Sequence, residues 1–96
     1  MTTSRILQTI IDVLSEIQTI SGREVIAMSG STCPIGQLPG FDSLNGIEVT
    51  LELSSRLGYD FEVDNLLVDD AGHRALSIGE VSDRIQELLN QPRKAK

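Results

Sequence analysis

Asp42 and Ser43 stand at the mouth of the apolar-periodic segment SLNGIEVTLELSSRL, residues 43–57, and their types suit a reactive oxygen at a helix start. An aspartate cap accepts the free backbone N–H groups of the first turn and complements the dipole. That leaves the Ser43 hydroxyl at the first helical position, where a phosphate attached to it would meet the positive end of the helix. Ser43 therefore reads as an attachment point, or else simply as a good N-terminal helix residue. Other chemistry is poorly supplied. Asp69, Asp70 and His73 could share one helical face, but two carboxylates and one imidazole do not complete a metal site, and Gly72 interrupts the helix. A Ser43–His73–Asp hydrolase would need a strand-to-helix elbow and an oxyanion hole. No catalytic residue, no metal and no enzymatic activity are expected. Cys33, the single cysteine, precedes Pro34 and reads as a small packed residue; it excludes an intramolecular disulfide and fits a reducing, cytoplasmic compartment.

The elements that position Ser43 follow from hydrophobic spacing. Ile6, Leu7, Ile10, Ile11, Val13, Leu14, Ile17 and Ile20 recur at three and four residues, which predicts a first helix started by Thr2, Thr3 or Ser4 and ended at Gly22. Residues 21–42 hold four glycines and two prolines, so they form a long loop that must pack on the body or serve a partner. The second helix runs from the Asp42 cap to Gly58 and carries two apolar stripes. Leu44, Ile47 and Leu51 lie within about 60° of one another, and Val49, Leu53 and Leu57 lie nearly opposite. One stripe suffices for a core, so the other is enclosed by a neighbour or kept for a partner. Glu48 and Glu52 edge the first stripe, which suits a basic, partly apolar surface. DNLLVDDAGHRAL predicts one or two short turns, and Ser77 with Glu80 forms an S-x-x-E start for a last helix through Ile78, Val81, Ile85, Leu88 and Leu89. The expected class is all-α, three main helices and a minor one.

Length and charge narrow the function. The 96 residues make one domain, with a flexible tail from about residue 91, too small to house a well-supported catalytic cleft easily. Net charge is −6, with one Tyr, two Phe and no Trp, which excludes a nucleic-acid binder: it has neither a basic face nor stacking platforms. Residues 42–87 hold eleven acids against three bases, so the acidity is regional and draws basic partners or serves solubility. No stretch is long and apolar enough for a membrane span, and the N-terminus lacks a signal-peptide pattern.

The stretch LPGFDSLNGIEVTLELSSRLG, residues 38–58, resembles the phosphopantetheine-attachment region of acyl carrier proteins, with Asp42, Ser43 and Leu44 in the family's Asp-Ser-Leu motif. Ile47 and Glu48 fall at its apolar and acidic recognition positions, Leu51 follows one turn later, Phe61 falls at a pocket-lining position, and LSIGEVSDRIQELL is similar to its final helix. The resemblance implies an acyl-carrier-like four-helix bundle with a long loop between helices 1 and 2 and a short, altered third helix. It implies a 4'-phosphopantetheine arm delivered from coenzyme A to Ser43 by a phosphopantetheinyl transferase, with Asp42 presenting the serine. Leu44, Ile47, Glu48, Leu51 and Glu52 would dock acyl-loading and acyl-processing enzymes with basic surfaces. Val49, Leu53 and Phe61 would border the acyl chain, or serve as ordinary core. A monomer is expected.

Departures point to a specialised carrier. The loop SGSTCPIGQLPGF lacks the family's usual acidic run, Glu62 replaces a customary proline, and the stretch from Phe61 to Leu76 is longer than usual. The cargo could belong to fatty-acid, polyketide or related biosynthesis. Two alternatives stand beside this reading: a peptidyl or aminoacyl carrier, and an unmodified helical adaptor that uses the second-helix surface alone.

Overall fold

Helix α1 spans Thr3–Ile20 and turns Ile6, Ile10, Val13 and Leu14 fully inward, the apolar stripe its spacing predicts, in a computed structural model that describes residues 3–90. Each such side chain contributes about 1.5–3 kcal/mol on burial. The helix ends in a Schellman motif: Gly22 takes φ +72°, its N–H reaches Thr19 O at 3.1 Å, and Arg23 N–H reaches Gln18 O at 2.8 Å. The long loop contains α2 (Pro34–Gln37), and after it come α3 (Ser43–Leu57) and α4 (Ile78–Asn90). Helix α1 packs against both α3 and α4, and Val49, Leu53, Ile78, Val81 and Ile85 close the core against it. All regular elements among the described residues are helical. The tail from residue 91 lies outside the described residues.

The minor helical element is not where the carrier resemblance puts it. No helix forms between residues 59 and 77; the short helical turn is α2, inside the long loop, and even there Ile35 and Gly36 leave helical torsions. Local chemistry explains the difference. Asp69 Oδ1 accepts the N–H groups of His73 at 2.7 Å and Arg74 at 3.3 Å, which diverts them from helical acceptors, and Gly72 turns the chain at φ +74°. Val68 and Ala75 then pair as an isolated antiparallel bridge. Turns were expected in DNLLVDDAGHRAL, and turns are found.

The long loop packs on the body. The buried Gln18 side chain donates to Pro39 O at 2.8 Å and Glu24 O at 3.2 Å, and Leu38 and Phe41 join the core. At the far end, Ile78 N–H donates to Thr32 O and Gly79 N–H to Gly30 O, both at 2.8 Å, so loop carbonyls satisfy the first donors of α4. The S-x-x-E start also forms: Ser77 N–H donates to Glu80 Oε1 at 2.9 Å and Glu80 N–H to Ser77 Oγ at 3.2 Å.

Glu80 carries a pH signature. The Arg74 guanidinium that donates to its carboxylate, and next the Ser77 N–H, pull its pKa down from 4.5 to about 2. With the folded value below the unfolded one, this contact stabilises above about pH 4.5 and is lost as pH falls toward 2. Carbon-detected NMR is expected to give Glu80 a titration midpoint near 2. Glu80→Gln, which keeps an acceptor but removes the charge, should flatten the decline of the urea midpoint between about pH 5 and pH 2. Added salt should shrink the difference, because both partners are exposed.

Candidate functional site

The start of α3 is a reciprocal cap. Asp42 Oδ1 accepts Leu44 N–H at 3.0 Å and Asn45 N–H at 3.3 Å, while Asn45 Oδ1 accepts Asp42 N–H at 3.0 Å. Asp42 thus takes the capping role its position predicts, worth about 1 kcal/mol. Ser43 follows as the first helical residue and is exposed; among the described residues its hydroxyl makes no hydrogen bond to protein. Its backbone carbonyl, by contrast, is held by Asn65 Nδ2 at 2.9 Å. The main chain is fastened and the hydroxyl left open.

Asn45, nearly fully buried, is the hub of this corner. Its Oδ1 also accepts Arg23 Nη1 from the loop at 3.1 Å, and its Nδ2 donates to Glu48 Oε1 at 2.9 Å. One carboxamide therefore closes the cap, ties in the loop and aims the Glu48 carboxylate. Glu52 is aimed as well: its Oε1 accepts Arg56 Nε at 3.1 Å, and Arg56 Nη2 reaches Glu16 on α1 at 2.8 Å. These contacts draw the Glu16 pKa down, with the Arg56 hydrogen bond as the main cause.

Of the two apolar stripes on α3, one is core and one faces out. Val49 and Leu53 are fully buried and Phe61 nearly so, its ring 4.9 Å from that of Tyr59. Leu44 and Leu51 are 69% and 68% exposed, Ile47 38%, with exposed Glu48 and Glu52 alongside. The structure thus gathers Ser43, the apolar strip and both carboxylates on one end and one side of α3. Asp69, Asp70 and His73 lie elsewhere, in the 59–77 segment, where Asp69 closes its own loop and Asp70 accepts Arg84 Nη2 at 2.6 Å.

Sequence reasoning passed over Gly46, Thr50 and Asn65. A Cβ on Gly46 would collide with Asn65 Oδ1 and lie 2.9 Å from its Cγ, so glycine makes the seat on which Asn65 rests. Asn65 Oδ1 accepts Leu67 N–H at 3.0 Å, and Thr50 Oγ1 accepts Leu66 N–H at 2.8 Å while donating to Gly46 O at 2.9 Å. The signal was available in part: a lone glycine inside a helical pattern costs about 1 kcal/mol and usually has a packing reason. Its partner, Asn65, nineteen residues on in an irregular segment, left no trace in periodicity.

The seat predicts a reversal of sign. In the natural chain Gly46→Ala should destabilise by about 1 kcal/mol, since displacing Asn65 forfeits two hydrogen bonds and outweighs the better helix propensity of Ala. In an Asn65→Ala background the same change should stabilise by up to about 1 kcal/mol. Urea unfolding of the four chains measures the coupling; one sign in both backgrounds contradicts the seat.

Compared with known proteins, the chain matches no protein-family model, no curated protein and no solved structure.

Proposed function

We propose that this protein is a carrier whose Ser43 holds a 4'-phosphopantetheine arm and whose α3 surface presents the cargo to partner enzymes. The observation that carries the reading is an exposed, unengaged hydroxyl at the first position of a capped helix, beside an exposed apolar strip flanked by carboxylates. The residues fit the group. Ser43 Oγ is accessible to attack the pyrophosphate of coenzyme A, so that its new phosphodiester bond forms as the bond to adenosine 3',5'-bisphosphate breaks and that group leaves, the hydroxyl proton passing to the transferase; Asp42 and Asn65 hold the backbone around it. When attached, the arm supplies a thiol that carries an acyl group as a thioester. The chain's own part is to position and to dock: Leu44, Ile47 and Leu51 offer apolar area, and Glu48 and Glu52, already oriented by Asn45 and Arg56, offer charge to basic surfaces.

Acyl units of fatty-acid, polyketide or related biosynthesis are the cargo class this reading favours. Val49, Leu53 and Phe61 form the adjoining part of the core, where a sheltered acyl chain would have to enter. On the same reading the protein has no catalytic residue of its own and works as a cytoplasmic monomer with a phosphopantetheinyl transferase and acyl-processing enzymes.

Incubation with coenzyme A and a broad-specificity transferase is expected to add one phosphopantetheine to the intact mass, located on Ser43 by peptide mapping. Ser43→Ala should abolish the gain and leave the helical circular-dichroism spectrum unchanged, because the side chain is exposed. A mass that stays unchanged in the natural chain overturns the carrier reading. The outward strip would then act alone, as an unmodified adaptor, and Ile47→Asp or Glu48→Lys rather than Ser43→Ala would abolish partner binding.

A further inference from the structure

Beside the outer strip of α3 lies a second apolar feature, a groove between α1 and α3. It has a volume of about 170 Å³ and is lined by Val13, Ile17 and Ile20 from α1, with Glu16, Glu48, Glu52 and Arg56 around them. Ile20, the last residue of α1, is 84% exposed, a large aliphatic side chain that the fold leaves uncovered. The rim holds three carboxylates against one guanidinium. That guanidinium is already spent on Glu16 and Glu52, and Glu48 is steadied by Asn45, so the rim is negative and its members are held in place.

We propose that this groove is an anchor pocket for a basic protein segment that inserts one large apolar side chain, with flanking lysines or arginines on the Glu16, Glu48 and Glu52 rim. Size decides the apolar part: a cavity of about 150 Å³ takes a benzene ring, so the groove has room for one aromatic side chain and not for two. Charge decides the rest, since a neutral or acidic segment would gain nothing from the rim and would cover its net negative charge, three carboxylates against one guanidinium, without compensating it. A buried apolar anchor encircled by complementary charge is the arrangement that concentrates binding energy at protein interfaces. The groove shares Glu48 and Glu52 with the docking surface proposed above, but it adds α1 and an apolar anchor and needs nothing from Ser43, so it goes beyond the carrier reading and does not rest on it.

The test uses the full, unmodified chain, labelled with nitrogen-15, in about 0.15 M salt to suppress diffuse attraction. Two amidated lysine-rich helical peptides of equal charge are titrated in, one with a single central Phe and one with Ala in its place. The Phe peptide is expected to bind roughly tenfold to a hundredfold more tightly, what burial of one large apolar side chain contributes. Amide shifts should centre on Val13, Ile17, Ile20, Glu48 and Glu52. Ile20→Ser, at an exposed position that does not threaten folding, should erase the preference for Phe, whereas Leu51→Ser on the outer strip and Ser43→Ala should preserve it. Equal affinity of the two peptides reduces the groove to charge attraction and overturns the proposal. A Phe preference that survives Ile20→Ser, or one lost only with Leu51→Ser, overturns it equally. Because no chain in this assay is modified, its outcome is separate from that of the coenzyme A experiment.

Discussion

Two carboxamides grip the first turns of α3, one from within the helix and one from outside it, and the geometry around Ser43 depends on that grip. Asn45 works from within the helix, bonded to the Asp42 N–H, Arg23 and Glu48. Asn65 works from outside, seated on Gly46 and bonded to the Ser43 carbonyl. Helix starts commonly fray, because their leading N–H groups lack intrahelical partners. Here Asp42 takes two of those donors, and the chain before and after the cap is tied to the loop and to the 59–77 segment. A residue at such a point can be exposed without being mobile in its main chain.

The irregular segment from 59 to 77 gains its order from polar anchors more than from periodic contacts. Leu66 and Leu67 enter the core, and Thr50 Oγ1 takes the Leu66 N–H that burial would otherwise leave without a partner. From α4, Arg84 Nη1 donates to Val68 O at 2.6 Å and Leu66 O at 3.4 Å while its other nitrogen pairs with Asp70. Much of the regional acidity is likewise engaged: Asp42 caps, Asp69 closes a turn, Asp70 meets Arg84, Glu80 meets Arg74, and Glu52 meets Arg56. The carboxylates that edge the outward strip are therefore presented at defined positions.

What could be read from the residues was what obeys a short period or a local rule. The three main helices, the Asp42 and Ser77 starts and the glycine ends at Gly22 and Gly58 all follow from spacing and capping within a few positions. So did the division of α3 into two faces, although which of them would lie open was settled only by packing. The minor helix was misplaced because Asp69 captures two nearby N–H groups, and a side chain in competition with the backbone is invisible to hydrophobic periodicity. Arg23, Asn45 and Asn65 went unrecognised for a similar reason: the Arg23–Asn45 and Asn65–Ser43 bonds each join residues 22 positions apart. No local pattern encodes a contact of that span.

The capping of α4 by the Gly30 and Thr32 carbonyls sets the terms on which the long loop can vary. Main-chain oxygens are blind to the side chains beside them, so the residue types around that crossing are only loosely restricted, apart from Gly79, where a Cβ would come within 3.0 Å of Gly30 O. Spacing is another matter. An insertion or deletion between Gln18 and Thr32 would slide those oxygens out of register with the helix they cap, so at that crossing it is the length of the loop more than its composition that is held.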